Sequence, residues 1–238
     1  MELVLNKKPK DCTIIQGFPG IGLIGTISTE FLMEHLDFEP IGKIILDDVP
    51  AVLAIHKGKI VEPLGIFHNK KNNITLVHGL NMMLGNEWGL SKSLIELAKK
   101  LTAKQVISIE GVGSPDETIK EKPEVYYYTS NKTFEKKFDK LKIDKLDDGV
   151  IVGVTSALIL RDSSVPLSCI FAKTHTKLPD SKAAAEVIKA LDQYLNLDVD
   201  YKPLIRRAEE FEEKLKGLMW RSKKTTDLQE KKRLDYFG

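Results

Sequence analysis

Cysteine is nearly absent from this 238-residue chain, with Cys12 and Cys169 the only two. They lie far apart in apolar runs, Cys-Thr-Ile-Ile and Ser-Cys-Ile-Phe, which reads as two buried structural thiols rather than a disulfide and suits a reducing compartment. Long apolar runs are missing too, and none approaches the roughly 20 residues that a membrane-spanning helix needs. The opening Met-Glu-Leu-Val-Leu-Asn-Lys-Lys-Pro has neither a long apolar stretch nor a small-residue cleavage site, so a cytoplasmic location is expected. Charge of one sign is also lacking: 36 Lys and Arg face 34 Asp and Glu, and no global field would gather nucleic acid or anionic lipid. Catalytic signatures are equally scarce. No Gly-x-Ser-x-Gly elbow, P-loop, His-Glu-x-x-His or Cys-x-x-Cys occurs, so the expectation is a protein that is not an enzyme, with no catalytic residue, metal or cofactor.

What is present is the composition of a globular protein, 42% hydrophobic and 29% charged, long enough for one large or two small domains. Across residues 1–200, apolar runs bounded by turn residues alternate with stretches of helical period, the mark of a three-layer α/β domain. Strands are expected at Cys12–Gln16, Pro40–Leu46, Ala51–His56, Ile60–Phe67, Ile74–His78, Gln105–Gly111, Val125–Thr129, Gly149–Val154 and Pro166–Ala172. Several are continuous apolar runs, as a sheet covered on both faces requires. Lys57-Gly58-Lys59 joins two of them as a hairpin, with Gly58 free to take positive φ, so the sheet is mixed. Helices are expected at Gly20–Leu36, Trp88–Leu101, Lys132–Leu141, Thr155–Arg161 and Ser181–Leu195. In the second of these, Leu90, Leu94, Leu97, Ala98 and Leu101 repeat at three and four and form one apolar face for the sheet.

The character changes from Tyr201. Leu204, Ala208, Phe211, Leu215 and Leu218 form an a/d seam about two heptads long, giving a C-terminal helix over 201–221 that packs on its own domain or pairs between subunits. Residues 222–238 form a mobile tail by composition, almost without apolar side chains until Leu234, Tyr236 and Phe237 near the end. An apolar tip on a polar tether points to a partner.

The segment Gly17-Phe18-Pro19-Gly20-Ile21-Gly22-Leu23-Ile24-Gly25 contains Gly-x-Gly-x-x-Gly, the dinucleotide fingerprint, and Asp47-Asp48 follow at about the spacing of a ribose ligand. Two features oppose that reading. Asp48 leads into Val49-Pro50-Ala51 and a hairpin instead of a second crossover helix, and Phe18-Pro19 separate the strand from the fingerprint. The structural reading is that Gly17, Gly20 and Gly22 permit a tight strand-to-helix turn and close helix–sheet packing, with Pro19 fixing the entry and Phe18 and Gly25 completing the loop motif. Backbone N–H groups freed there would also suit an anion.

Other candidates are weaker. His56, His68 and His78 fall on strand candidates with no spacing that makes them converge on a metal. Adjacent Asp47 and Asp48 would point to opposite faces of a strand. Asn81-Met82-Met83-Leu84-Gly85-Asn86-Glu87-Trp88 suits a subunit interface or core filling, and Tyr126-Tyr127-Tyr128 reads as a β-strand rather than a base-stacking platform.

The nine residues Gly17–Gly25 resemble the opening motif of the PAC2 family, Gly-Phe-Pro-Gly-x-Gly-Leu-x-Gly after the first strand. Asp47-Asp48-Val49-Pro50-Ala51, Gly111-Val112-Gly113 and Leu178-Pro179-Asp180-Ser181-Lys182-Ala183-Ala184 support the resemblance in the same order, over about residues 12–195. The resemblance implies a fold like that of purine nucleoside phosphorylases and a role in assembling proteasome α-rings, ascribed to archaeal and eukaryotic members. Proteasome-binding proteins often end in a hydrophobic residue, Tyr and any residue. Here Tyr236 takes the hydrophobic place, Phe237 the tyrosine place and Gly238 the carboxylate, so the implied partner surface is Leu234, Tyr236, Phe237 and Gly238, meeting proteasome α-subunits or the core particle. The missing hydroxyl at Phe237 bears on gate opening more than on docking. The expectation is a chaperone-like homo-oligomer. A nucleoside-acting enzyme at the loops near Gly17–Gly25 and Gly111–Gly113, and a proteasome activator, are the alternatives.

Overall fold

The computed structural model describes residues 1–47, 49, 51, 53–56, 58–80, 85–113, 123–161, 165–174, 179–206 and 217. Eleven strands occur among them: β1 Glu2–Leu5, β2 Thr13–Gly17, β3 Glu39–Ile45, β4 Ala54–His56, β5 Lys59–Val61, β6 Leu64–Asn69, β7 Ile74–Gly79, β8 Gln105–Gly113, β9 Val125–Thr129, β10 Asp144–Lys145 and β11 Leu167–Thr174. The helices are α1 Ile24–His35, α2 Glu87–Lys100, α3 Lys132–Lys140, α4 Val154–Leu160, α5 Ser181–Leu195 and α6 Lys202–Arg206. Nine strands form one mixed sheet in the order β1-β3-β6-β7-β2-β8-β11-β9-β10. Its centre, β7, β2, β8 and β11, is parallel, and antiparallel pairs flank it on both sides.

Side-chain alternation splits the core into two layers. Ile15, Leu76, Ile107, Ile109 and Ile170 project to the face covered by α1 and α5, where Ile27, Phe31, Val187 and Leu191 meet them. Ile14, Val77 and Val106 project the other way, onto Leu90, Leu94 and Leu97 of α2 and Val154 and Leu158 of α4. The expected three layers and mixed sheet are therefore present, and the apolar face read for α2 is buried in full. On the first face, Tyr127, Phe138 and Tyr194 stack in sequence with ring centroids 4.6 and 4.4 Å apart, fastening α3 and α5 to β9. Burial pushes the Tyr127 phenol up to about 12, and its hydroxyl donates to Asp139 at 2.7 Å.

Local differences from the sequence reading have physical causes. The expected strand Gly149–Val154 does not form. Gly153 adopts φ 93, Val154 opens α4, and Val150 and Val152 are 81% and 65% exposed, so of this apolar run Ile151 alone is turned inward, against Val112, Cys169 and Phe171. The expected strand Ile60–Phe67 divides at Glu62-Pro63, because proline removes a ladder donor; Lys59–Val61 joins the ribbon β4–β5 and Leu64–Asn69 joins the main sheet. The expected strand Ala51–His56 is shorter, beginning at Ala54. The hairpin itself is present, with His56 opposite Lys59 and Gly58 at φ 72. Short β1, pairing with the edge of β3, and two-residue β10 carried no readable pattern. Only residues 201–206 and Gly217 of the expected C-terminal helix, and none of residues 222–238, lie within the described residues. No helix among the described residues is long and apolar enough to cross a membrane.

Candidate functional site

The glycine loop begins where β2 ends. The expected continuous helix Gly20–Leu36 is broken there: Ile21–Leu23 make a single 3-10 turn, Gly22 and Leu23 take φ 65 and φ 53, and only then does α1 start. A left-handed leucine costs about 1–2 kcal/mol, so the surroundings must hold the turn in place. They do so by close approach. A Cβ on Gly17 would fall 2.1 Å from the Gly25 carbonyl oxygen, and one on Gly25 would fall 2.9 Å from backbone atoms of Ile109 and Phe18. A Cβ on Gly20 would meet the Glu110 carboxyl at 1.8 Å, and one on Gly111 would meet the Ile21 carbonyl oxygen at 2.1 Å. Asp180 N–H donates to the Gly22 carbonyl at 2.9 Å, while the Asp180 carboxylate accepts from Thr174 Oγ1 at 2.9 Å and from Ala183 N–H at 2.9 Å, capping α5.

Three of the four sequence segments singled out above therefore meet at one point. Gly17–Gly25, Gly111–Gly113 and the described part of Leu178–Ala184 pack against one another at the C-terminal ends of β2, β8 and β11. The fourth stands apart: the Asp47 carboxylate pairs with the Met1 ammonium at 2.7 Å, and Asp48 lies outside the described residues. Backbone and a buried carboxyl fill the space beside these glycines, where a dinucleotide pyrophosphate would need room.

Beneath the loop lies a buried polar chain that sequence reading missed. Gln16 Nε2 donates to Ser108 Oγ, Ser108 Oγ lies 2.8 Å from Thr155 Oγ1, and Thr155 Oγ1 donates to Glu110 Oε2 at 3.3 Å. Burial pushes the Glu110 carboxyl up to about 8, against weaker lowering by Thr155 and the Gly111 N–H. The available signal was the alternation within β8, where Ser108 and Glu110 share a face with Val106 and break its apolar pattern. Both thiols are free and buried, and burial raises both.

The histidines do not converge. His56 is exposed on β4, and His68 Nδ1 pairs with Thr75 Oγ1 at 3.2 Å. His78 stands between Thr29 Oγ1, 2.8 Å from Nδ1, and Glu30 Oε2, 3.3 Å from Nε2. The trio has the atoms of a hydroxyl–imidazole–carboxylate relay, but Thr29 is fully buried and its hydroxyl also reaches the Gly25 carbonyl at 2.8 Å. It ties α1 to β7 and offers substrate no approach. No cluster of three or more His, Cys, Asp or Glu suited to a metal occurs among the described residues.

A cavity of about 490 Å³ lies at the opposite end of the sheet, between the starts of β8 and β11 and the end of α4, lined by Val106, Tyr128, Leu158 and Leu167 with Arg161 at its edge. Arg161 is engaged, donating to Ser91 Oγ at 2.7 Å and to the Trp88 carbonyl at 2.9 Å. Residues 81–84 lie outside the described residues; Trp88, from the same Met-Trp segment, is 54% exposed on the first turn of α2. Leu234, Tyr236, Phe237 and Gly238 also lie outside them.

The geometry defines an α/β protein whose marked segments close helix-to-sheet contacts. The chain belongs to the PAC2 family, whose profile matches residues 14–219. It is similar to the uncharacterized protein MJ0106 of Methanocaldococcus jannaschii, at 26% identity over 209 residues, 86% of this chain and 84% of that one. In structure it is similar to Pyrococcus furiosus PbaA, an archaeal homolog of proteasome-assembly chaperone, with a TM-score of 0.83 at 27% identity, covering 94% of this chain and 98% of PbaA. Pyrococcus furiosus PbaB, an archaeal proteasome activator, shares the fold with a TM-score of 0.74 at 21% identity, covering 91% of this chain and 98% of PbaB.

Proposed function

We propose that this protein is a proteasome-assembly chaperone-like binding protein that acts in the cytoplasm as a homo-oligomer and docks on proteasome α-subunits through Leu234, Tyr236, Phe237 and Gly238. The observation that carries the reading is PAC2 membership over residues 14–219, joined to a PbaA-like fold across 94% of the chain. The tail supplies the link to a partner. Two adjacent aromatics give a large apolar contact, the terminal carboxylate suits a pocket lysine, and the polar residues before them give reach. Each tail binds weakly, and several tails on one oligomer gain effective concentration over a ring of pockets.

The enzyme alternative needs an open, polar pocket at the strand ends near Gly17–Gly25 and Gly111–Gly113. Glu110 fills the space beside Gly20 and the Ile21 backbone fills that beside Gly111, which supports binding over chemistry. The direct test is capture by immobilised α-subunits, comparing the full chain with one lacking Tyr236–Gly238, alongside light scattering for subunit number. Tail-dependent capture supports the reading, equal capture removes the tail from it, and faster peptide hydrolysis by mature core particles moves it to activation.

A further inference from the structure

We propose that Glu110 is held as an un-ionised carboxylic acid that latches the glycine loop to β8 and α4, and that alkaline ionisation of this one group loosens the latch. The geometry carries the argument. Glu110 is 7% exposed, and its Oε1 occupies the place where any side chain on Gly20 would lie. Its Oε2 sits 3.9 Å from the Cβ position of Gly153, the residue whose left-handed φ of 93 starts α4. One carboxyl thus touches the loop, the strand end and the helix start.

Among the described residues its partners are too few to hold a charge. A buried carboxylate stays ionised when two or three backbone N–H donors or a cation surround it. Here the donors are the Gly111 N–H and the Thr155 hydroxyl, the latter at 3.3 Å. From α4 it faces Thr155, from the loop Gly20, and from β2 Gln16 through Thr155. From β11 it faces the Cys169 thiol, which burial keeps neutral. Among the described residues no Lys, Arg or His influences it. The un-ionised acid needs no such support. Its O–H can donate to Thr155 Oγ1, which passes a hydrogen to Ser108, because hydroxyl hydrogens reorient freely.

The sign follows from linkage. The carboxyl is raised from 4.5 to about 8 on folding, so the folded state binds more protons than the unfolded one between those values. Its favourable contribution is complete below the lower value and is lost as pH rises through the upper one. Across that window the folding equilibrium falls about tenfold per pH unit.

The test uses the full chain and Glu110→Gln, the amide that mimics the neutral acid. The melting temperature of E110Q should gain on the wild type by roughly 4 °C per pH unit as pH rises from 5 to 8, and the gap should level off above that. Infrared difference spectra of the wild type at pH 6 should show the carbonyl band of a protonated carboxyl that E110Q lacks and that fades as pH passes 8. Amides of Gly20–Gly22 and Val154–Ala157, corrected for intrinsic base catalysis, should exchange faster at pH 9 than at pH 6 in the wild type. Parallel melting profiles, no protonated-carboxyl band at pH 6, or unchanged protection at pH 9 would each overturn the proposal. The infrared and exchange measurements decide it even if E110Q does not fold.

Discussion

Residues 17–25 and residues 222–238 are both unusual in composition, and opposite roles are proposed for the two segments. In the first, four glycines let α1 and the end of β8 approach until no Cβ would fit at Gly17 or Gly20. The segment is turned inward, and the residues that read most like a cofactor site hold layers together. In the second, a polar stretch ends in two adjacent aromatics, Tyr236 and Phe237. Family membership attaches to the first segment and the proposed partner to the second, so the part that identifies the fold is not the part that would meet the proteasome.

That contrast breaks if a loop substitution is tolerated. Gly17→Ala drives a Cβ into backbone, and the expected loss is about 3 kcal/mol or more, a fall in melting temperature of roughly 10 °C by calorimetry. A wild-type melting curve would show that the close approach is not fixed. Asp180→Ala removes the cap of α5 and the tie to Thr174, for an expected loss of about 1–2 kcal/mol in urea unfolding. Gly58→Ala sharpens the comparison by separating conformation from packing. Its φ of 72 is left-handed but nothing lies within 4 Å of the added carbon, so about 1 kcal/mol is expected, well below the Gly17 effect. Lys100→Ala breaks an exposed i,i+4 pair with Glu96 and should change stability by less than about 0.5 kcal/mol. All four variants keep the tail and should bind α-subunits normally once folded.

Much of the architecture was legible in the sequence because it depends on periodicity. Four of the five apolar positions read for the second helix fall within α2 and the fifth, Leu101, ends it, and α5 has the expected limits Ser181–Leu195. The failures have a common cause, since apolar composition does not say whether a run pairs with a neighbour. Val150-Ile151-Val152 has strand composition but lies between Gly149 and Gly153 with two of its side chains in solvent. Ile60–Phe67 reads as one strand until Pro63 divides it. The left-handed pair Gly22-Leu23 was invisible because leucine gives no local sign of it, and only the packing of Thr174, Asp180 and Ile109 around the loop explains it. At the candidate site, the glycines were legible as a motif while Glu110 was not, because a lone acid in a strand gains meaning only when Gln16, Ser108 and Thr155 are brought beside it.

The central claim, that the tail and not the glycine loop meets the partner, rests most directly on one measurement: retention on immobilised proteasome α-subunits of the full chain and of the chain lacking Tyr236–Gly238, at matched melting temperature and subunit number. The account predicts at least a tenfold loss of retention on removing the three residues, with both proteins equally stable. Equal retention would contradict it and place the contact on the α/β body.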